Sequence, residues 1–172
     1  MHKLLEQSLK KGISVTLVFE GENIDNKVLK YVKEKELFTG KSGEIYSYLP
    51  FDGEKQILVG LGKKEELKED EVREVFFKVV KVLLTNKELE AQIELPNLDR
   101  IGKNTFVKAL VEGALHATYK FDKYKSDRKE LPEIIINIIT VENVEESIKE
   151  AEVIMDSIFF ARDLVNERAE YL

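Results

Sequence analysis

The fold of this chain is decided by residues 55–84, KQILVGLGKKEELKEDEVREVFFKVVKVLL, in which a strand is followed by a helix. The apolar run at 57–59 is typical of a central strand, and Gly60 and Gly62 follow it. Beyond an acidic stretch, apolar side chains recur at helical spacing, which predicts an amphipathic helix over 69–84 that packs one stripe on a sheet. That stripe consists of Val72, Val75, Phe76, Val79, Val80 and Leu83.

A hairpin is predicted immediately before this unit. Segments 44–49 and 55–62 flank the sequence Pro50-Phe51-Asp52-Gly53. Proline followed by Asp-Gly favours a tight reversal of the chain, so the two segments are expected to pair as antiparallel strands.

Strands and helices alternate along the rest of the chain. Residues 134–139 read IIINII, an apolar run on both faces that is typical of a strand covered on both sides. The other predicted elements are a strand at 13–19, a short helix after Asp25, a strand at 90–95, a helix at 105–119 and a helix at 144–165. This order predicts an α/β fold of three layers, in which helices cover both faces of a mixed sheet.

The last predicted helix carries more apolar side chains than one packed face requires. Its packed stripe is predicted at Ile148, Ala151, Met155, Ile158 and Val165. Apolar residues fall around more than half of the helix circumference, so part of the surface is expected to be bare and to contact an absent domain or a neighbouring subunit. The residues near the end that are expected to make this contact are Phe159, Phe160, Leu164 and Val165.

Composition places the chain among globular proteins of one domain. It has 172 residues, 43% of them hydrophobic, with both signs of charge interspersed. A formal net charge of −6 does not favour binding to nucleic acid or to an anionic membrane. The absence of cysteine excludes disulfides and thiolate metal sites.

The sequence shows no segment suited to secretion or to a membrane. No apolar run approaches the ~20 residues that span a bilayer, and the start of the chain lacks the apolar core of a signal peptide. A cytoplasmic location is therefore expected.

Candidate catalytic residues are few. The chain has two histidines, His2 near the start and His116 in a predicted helix, and neither has a second histidine at the i+4 spacing of a zinc-binding helix. A nucleophile elbow and a Walker loop are absent as well.

Asp163 and Glu167 lie one helical turn apart and could be mistaken for metal ligands. Because Arg162 and Arg168 are their neighbours, the four side chains are interpreted as a solvated, charge-paired surface.

The glycines after the central strand have two interpretations. Gly60-Leu61-Gly62 lies between a strand and a helix, where backbone amides can cradle a phosphate, but Glu65 occupies the place of the third glycine of the dinucleotide-binding motif. Several acidic residues follow and would repel an anion. A tight turn between strand and helix is the favoured interpretation.

Aromatic and basic residues alternate after the third predicted helix. Tyr119, Phe121 and Tyr124 could stack on bases, but aromatic residues at the end of a helix more often anchor it to the core, which is the favoured interpretation. The flanking basic residues are Lys120, Lys123, Lys125, Arg128 and Lys129.

Three passages of the chain carry a resemblance to a known family. They are VGLGKKEE at 59–66, EGALHATYKFDKYKS at 112–126 and FFARDLVNE at 159–167. In this order and spacing they resemble the N-terminal, non-catalytic domain of the leucyl aminopeptidase family, also called the cytosol aminopeptidase family. The third passage is similar to the family's hinge between domains, which usually continues with Pro, a small residue and Asn; this chain has Arg168 and Glu170 in place of the Pro and the Asn.

The resemblance implies a macro-domain-like fold and a single accessory domain over 1–172, with 144–168 as its C-terminal helix and hinge toward a catalytic domain. It further implies that the full-length protein is a cytoplasmic hexamer that releases N-terminal amino acids from peptides, using two Zn²⁺ or Mn²⁺ ions held by the catalytic domain. The accessory domain would serve assembly or access to the active site.

The resemblance assigns no chemistry to this chain. The family motif Asn-Thr-Asp-Ala-Glu-Gly-Arg is absent, so no catalytic, cofactor-binding or metal-binding residue is assigned and the chain alone is not expected to be an enzyme. Its expected partners are the catalytic domain of the same polypeptide and the other subunits of a homo-oligomer.

Two other functions are carried as alternatives. One is a stand-alone, macro-like module that binds a nucleotide or ADP-ribose through the turn at 60–62, and the other is a nucleic-acid adaptor that uses the run of lysines and aromatics. The acidic total charge and the missing third glycine disfavour both.

Overall fold

The order of helices and strands follows the order predicted from the sequence. The computed structural model describes residues 12–22, 26–50, 53, 55–98, 101–127 and 131–167. In these ranges the elements are β1 (Ile13–Phe19), α1 (Lys27–Glu34), β2 (Ile45–Tyr48), β3 (Gln56–Gly62), α2 (Glu69–Asn86), β4 (Glu90–Glu94), α3 (Lys103–Thr118), β5 (Ile135–Ile139) and α4 (Glu145–Asn166).

The strands form one mixed sheet in the order β2-β3-β1-β4-β5. All neighbouring strands are parallel except β2 and β3, which pair antiparallel as the predicted hairpin. Part of the predicted turn, Phe51 and Asp52, lies outside the described residues. Parallel neighbours need crossover connections, and helices in those crossovers cover the sheet.

The main core lies between one face of the sheet and α2, α3 and α4. Val15 and Val59 point to this face from neighbouring strands, and Phe76 of α2 meets Phe106 of α3 edge to face, with ring centroids 6.0 Å apart. The predicted stripe of α2 is buried throughout, which confirms that this helix packs on the sheet. The central position predicted for residues 57–59 is confirmed too, since all three are fully buried.

The opposite face of the sheet is covered by α1. Its residues Leu29 and Val32 pack with Val18 of β1 and Leu58 of β3. Asn26 caps this helix, because its Oδ1 accepts hydrogen bonds from the first free backbone amides. Helices therefore lie on both faces of the sheet, as the predicted three-layer arrangement requires.

One expectation about the sheet, that β5 is covered on both faces, holds only in part. Strand β5 is an edge strand with β4 as its neighbour. Ile136 and Ile138 are buried against the helices and Asn137 is buried on the other face, whereas Ile139 on that face is 46% exposed. A β-branched run fits an edge strand as well as a central one, so the run alone could not separate the two.

The loop between α1 and β2 is held by the carboxylate of Glu44. Its Oε2 accepts hydrogen bonds from the backbone amides of Thr39, Gly40 and Lys41 at 2.8, 2.9 and 3.2 Å, and from the Thr39 hydroxyl at 3.0 Å. Burial alone would raise the pKa of Glu44, but the hydrogen bonds from Thr39, Gly40 and Lys41 together outweigh it and lower the pKa.

We expect the Glu44 carboxylate to stabilise the fold by about 1 to 2 kcal/mol near neutral pH, allowing for screening by solvent. Because its pKa in the folded state lies below the ordinary value of 4.5, this contribution is present above that value and is lost as the pH falls through the lowered one. Urea unfolding of Glu44→Ala and of the parent chain, compared between about pH 3 and about pH 7, should show a difference in stability that shrinks in acid.

The matched control is Glu74→Ala, because Glu74 pairs with the exposed Lys78 at 2.7 Å. That surface pair should contribute at most about 0.5 kcal/mol. An equal effect of the two substitutions at neutral pH would contradict the role given to Glu44.

Candidate inter-domain junction

The first half of α4 is fixed by the main core. Val144, just before the helix, and Ile148, Ala151 and Met155 within it are buried and form one stripe. The sequence predicted that this stripe continues to Ile158 and Val165, but those two side chains are 41% and 84% exposed. Beyond Met155 the inward positions belong to other residues, because 3.6 residues per turn place 159, 162 and 166 on the line of the stripe.

The outer face of α4 is apolar and bare. We use this name for Val153, Ile154, Ile158, Phe160, Leu164 and Val165, whose exposed fractions range from 36% to 84%. The expectation that the residues near the end of the helix are bare is confirmed for Phe160, Leu164 and Val165. It is wrong for Phe159, which is half-buried because its ring packs on Tyr119. A contiguous apolar surface of this kind marks a contact with another domain or protein.

The inward side of the last turns of α4 contacts Tyr119, the residue that caps the C-terminus of α3. The Tyr119 ring lies 5.1 Å from the ring of Phe159, and the guanidinium of Arg162 lies 3.8 Å from the Tyr119 ring centroid. The Tyr119 hydroxyl donates a hydrogen bond to Asp163 Oδ1 at 2.8 Å and accepts one from Asn166 Nδ2 at 3.3 Å. We call these five residues the Tyr119 cluster.

The Tyr119 cluster joins passages 112–126 and 159–167, two of the three that carry the resemblance. Lys123 adds an ion pair with Glu167. The sequence predicted that Asp163 and Glu167 pair with neighbouring arginines, whereas they bind Tyr119 and Lys123, which lie 44 residues earlier in the chain. Arg168 lies outside the described residues. Among the residues that the structure describes, neither carboxylate belongs to a cluster of three or more potential metal ligands.

His116, on the last turn of α3, lies near two positively charged side chains. Burial lowers the pKa of His116, and the nearby charges of Arg162 and Lys81 lower it further. Its ring meets the ring of Phe77 at 5.5 Å. The lowered pKa favours the neutral imidazole, and the exposed ring of His116 lies against Phe77 on the helix surface, as expected for a partly buried or surface residue.

Tyr119 is held as a neutral hydrogen-bond donor. Burial raises its pKa and the hydrogen bond to Asp163 raises it further, so the phenol keeps its proton well above neutral pH. Arg162 differs from its neighbours, because its Nη1 is buried and has no hydrogen-bond partner among the described residues. The face of this guanidinium stacks on the Tyr119 ring, which is a cation–π contact.

The Glu112-Gly113 pair, also within passage 112–126, sets how closely α3 approaches α2. Glu112 is buried and pairs with Arg73 of α2. A Cβ atom at Gly113 would lie 2.2 Å from the backbone oxygen of Arg73, so the two helices touch backbone to backbone at this point. Burial alone would lower the pKa of Arg73. The net shift of this pKa is upward, because Glu112 accepts a hydrogen bond from Arg73 and adds a negative charge, and Asp70 and Glu69 accept further hydrogen bonds.

Residues 60–62 form the end of β3 and not a separate turn, and the amides of both glycines already have backbone partners. The Gly60 amide donates to the Glu44 carbonyl at 2.8 Å, and the Gly62 amide donates to the Gly40 carbonyl at 2.9 Å. A Cβ atom at Gly60 would lie 2.1 Å from the Lys41 carbonyl oxygen. The glycines therefore permit a close approach of backbone, and the geometry does not support the nucleotide-binding alternative.

The aromatic run does not form a platform for bases. Tyr119 packs within the domain, while Phe121 and Tyr124 meet each other edge to face at 6.0 Å. Arg128 and Lys129 lie outside the described residues. Of the three rings that the nucleic-acid alternative needs for stacking on bases, Tyr119 is therefore already packed in the Tyr119 cluster.

The described ranges contain no cluster of three or more His, Asp or Glu side chains that could hold a metal ion. His2 lies outside the described residues. Over the same ranges, no helix is long and apolar enough to cross a membrane.

These features define a class of protein, an α/β domain with a mixed five-stranded sheet whose last helix presents a bare apolar face. A model of the N-terminal domain of the cytosol aminopeptidase family matches residues 15–128. The chain belongs to the cytosol aminopeptidase family and corresponds to its N-terminal domain.

Individual relatives agree with this assignment. A probable cytosol aminopeptidase of Treponema denticola is 41% identical over 95% of this chain and 35% of its own length. That of Clostridium tetani is 34% identical over 93% of this chain and 35% of its own length. That of Aquifex aeolicus is 35% identical over 91% of this chain and 34% of its own length. The chain thus spans about a third of the length of the curated relatives it matches.

Solved structures share the fold at low sequence identity. A mutant of tomato leucine aminopeptidase has a TM-score of 0.78 at 19% identity, over 99% of this chain and 38% of that one. The bottromycin maturation enzyme BotP has a TM-score of 0.75 at 18% identity, over 92% of this chain and 33% of its own. The α/β fold is therefore that of the N-terminal part of these larger chains.

The contact at Gly113 can be tested by substitution. On helix propensity alone, Gly113→Ala would stabilise α3 by about 1 kcal/mol, but the added Cβ would overlap the Arg73 backbone oxygen. We expect a net loss of about 1 to 3 kcal/mol in urea unfolding, because the packed helices must separate.

Gly102→Ala, at the N-cap of the same helix, is the matched control. No atom lies within 4 Å of a Cβ placed there, so its effect should stay within about 1 kcal/mol. Stabilisation by Gly113→Ala would show that α2 and α3 do not touch at this residue.

Proposed function

We propose that this chain is the accessory domain of a metal-dependent aminopeptidase that releases N-terminal amino acids from peptides. The relatives support this proposal through their names and through their length, of which this chain covers about a third. The two Zn²⁺ or Mn²⁺ ions would be held by a catalytic domain that follows in the same polypeptide, because the described residues do not fit a metal site.

The outer face of α4 is the observation that carries the proposal. It begins at Val153 and continues to Val165, near the end of the described chain, where a following domain would be within reach. Full burial of one large aliphatic or aromatic side chain contributes about 1.5 to 3 kcal/mol. The six side chains are 36% to 84% exposed, so a second domain that covers them would gain a corresponding part of that stabilisation from each.

Residues 144–168 would then act as helix and hinge between the two domains, within a single accessory domain over 1–172. The partners of the domain would be the catalytic domain and the other subunits of a cytoplasmic homo-oligomer, a hexamer in this proposal. Its role would be assembly or access to the active site, since its own side chains offer no catalytic arrangement in the described part.

The first test concerns activity. We expect the 172-residue chain with added Mn²⁺ or Zn²⁺ to show no hydrolysis of leucine p-nitroanilide, and a polypeptide that continues past Leu172 into the catalytic domain to hydrolyse it. The physical reason is the lack of ligands for a two-metal centre. Turnover by the 172-residue chain that a chelator abolishes would refute the accessory role.

The second test concerns the outer face of α4. The 172-residue chain should self-associate through this face, and a Phe160→Ser, Val165→Ser variant should be monomeric in light scattering, because the apolar area that drives association is reduced. Its stability to urea should change by less than about 1 kcal/mol, since both side chains are mostly exposed.

Val141→Ser is the matched control, because Val141 is 97% exposed but lies in the loop before α4. This substitution should leave self-association unchanged. A large loss of stability in the Phe160→Ser, Val165→Ser variant, with a monomeric parent chain, would show that the end of α4 is ordinary core.

A further inference from the structure

The two halves of α4 are attached to the domain in different ways. Up to Met155 the helix is fixed by buried apolar side chains. From 156 to 166 none of its side chains is fully buried, and only Phe159 and Arg162 are half-buried. A helix of about 11 residues is marginal in water without packing, so these last turns need other contacts to stay ordered.

Four residues of these last turns contact Tyr119, and the position of Tyr119 is itself fixed by α3. It directly follows α3, whose last turns are anchored in the core by Ala114 and Ala117. The Tyr119 backbone amide also donates to the His116 carbonyl at 3.4 Å. The ring and hydroxyl of Tyr119 therefore project from a rigid element toward the end of α4.

The hydroxyl of Tyr119 makes the contacts that constrain the direction of the last turns of α4. Stacking of Phe159 and Arg162 on the ring tolerates sliding, whereas hydrogen bonds restrict both distance and angle. One oxygen binds Asp163 and Asn166, which lie three residues apart on the same helix, so it fixes the rotation of α4 as well as its position. The bond to the Asp163 carboxylate is charge-assisted and stronger than a neutral one.

The side chain of Asn166 is already held in place by its own helix. Its Nδ2 also donates to the Arg162 carbonyl at 2.8 Å, which holds the amide against its own helix. Because the side chain is already held in this way, its hydrogen bond to Tyr119 costs little additional conformational entropy.

We propose that Tyr119 is a positioning residue: its hydroxyl, by holding Asp163 and Asn166, fixes the last turns of α4 and through them the orientation of the catalytic domain. The second half of this statement rests on the proposed function. Tyr119 itself touches no substrate and takes no part in the chemistry.

The first measurement is hydrogen exchange in the 172-residue chain. Tyr119→Phe removes one oxygen and leaves the ring, and it should speed amide exchange over 160–166 by roughly three- to tenfold, the loss expected for a solvent-exposed hydrogen bond. Exchange in the sheet and in α2 should stay within about twofold, because the core is untouched.

Tyr31→Phe is the matched control, since Tyr31 is 56% exposed on α1, which covers the opposite face of the sheet. It should leave exchange over 160–166 unchanged. Asp163→Ala should reproduce the effect of Tyr119→Phe, whereas Asp163→Asn, which keeps an acceptor oxygen, should restore part of the protection. Equal exchange in Tyr119→Phe and the parent chain, or no protection of these amides in the parent, would overturn the proposal.

The second measurement addresses orientation in the polypeptide that continues into the catalytic domain. The 172-residue chain contains no cysteine, so Val141→Cys introduces one site for a spin label within it; the second label is placed on one cysteine of the catalytic domain, with any others there replaced. Tyr119→Phe should broaden the distribution of distances between the labels, and Tyr31→Phe should not. An unchanged distribution together with faster exchange over 160–166 would overturn the role in orientation.

Failure of this proposal is distinguishable from failure of the proposed function. If the catalytic domain does not cover the outer face of α4, the Phe160→Ser, Val165→Ser variant will leave the association of the two domains unchanged. The Tyr119→Phe exchange measurement needs only the 172-residue chain and decides the first half of the proposal independently.

Discussion

The direct contact between the backbones of α2 and α3 is the constraint on which the helical layer depends. Gly113 lets α3 lie against the Arg73 carbonyl, and the buried Glu112 pairs with Arg73 beside it. Because α4 packs on α3 in turn, the position of Tyr119 follows from that first contact. A side chain at 113 would displace α3, and the displacement would reach the end of α4 about 50 residues later in the chain.

The domain thus has a rigid part and a part whose order depends on polar contacts. The sheet, α2 and α3 share one apolar core, whereas the last turns of α4 rely on the Tyr119 cluster. This division places the less stable region where a second domain would bind. Regions of low local stability are the usual location of surfaces that change on binding.

Sequence periodicity gave the elements and their order because each helix and strand has one dominant apolar pattern. The same patterns could not give the edge position of β5, since IIINII fits a central or an edge strand. Nor could they give the partner of Asp163, because Tyr119 lies 44 residues away and the bond depends on how α4 crosses α3. The two passages that meet there were evident from the resemblance, but their contact required the structure.

The bare outer face of α4 has a consequence for synthesis of the protein. In a polypeptide that continues into a catalytic domain, this N-terminal domain leaves the ribosome first and can fold before the rest is made. At roughly 5 to 20 residues per second, a remainder about twice as long as this chain takes on the order of tens of seconds to appear. During that interval Phe160, Leu164 and Val165 are exposed to other nascent chains, so a chaperone that binds apolar helices would protect the newly made domain from aggregation.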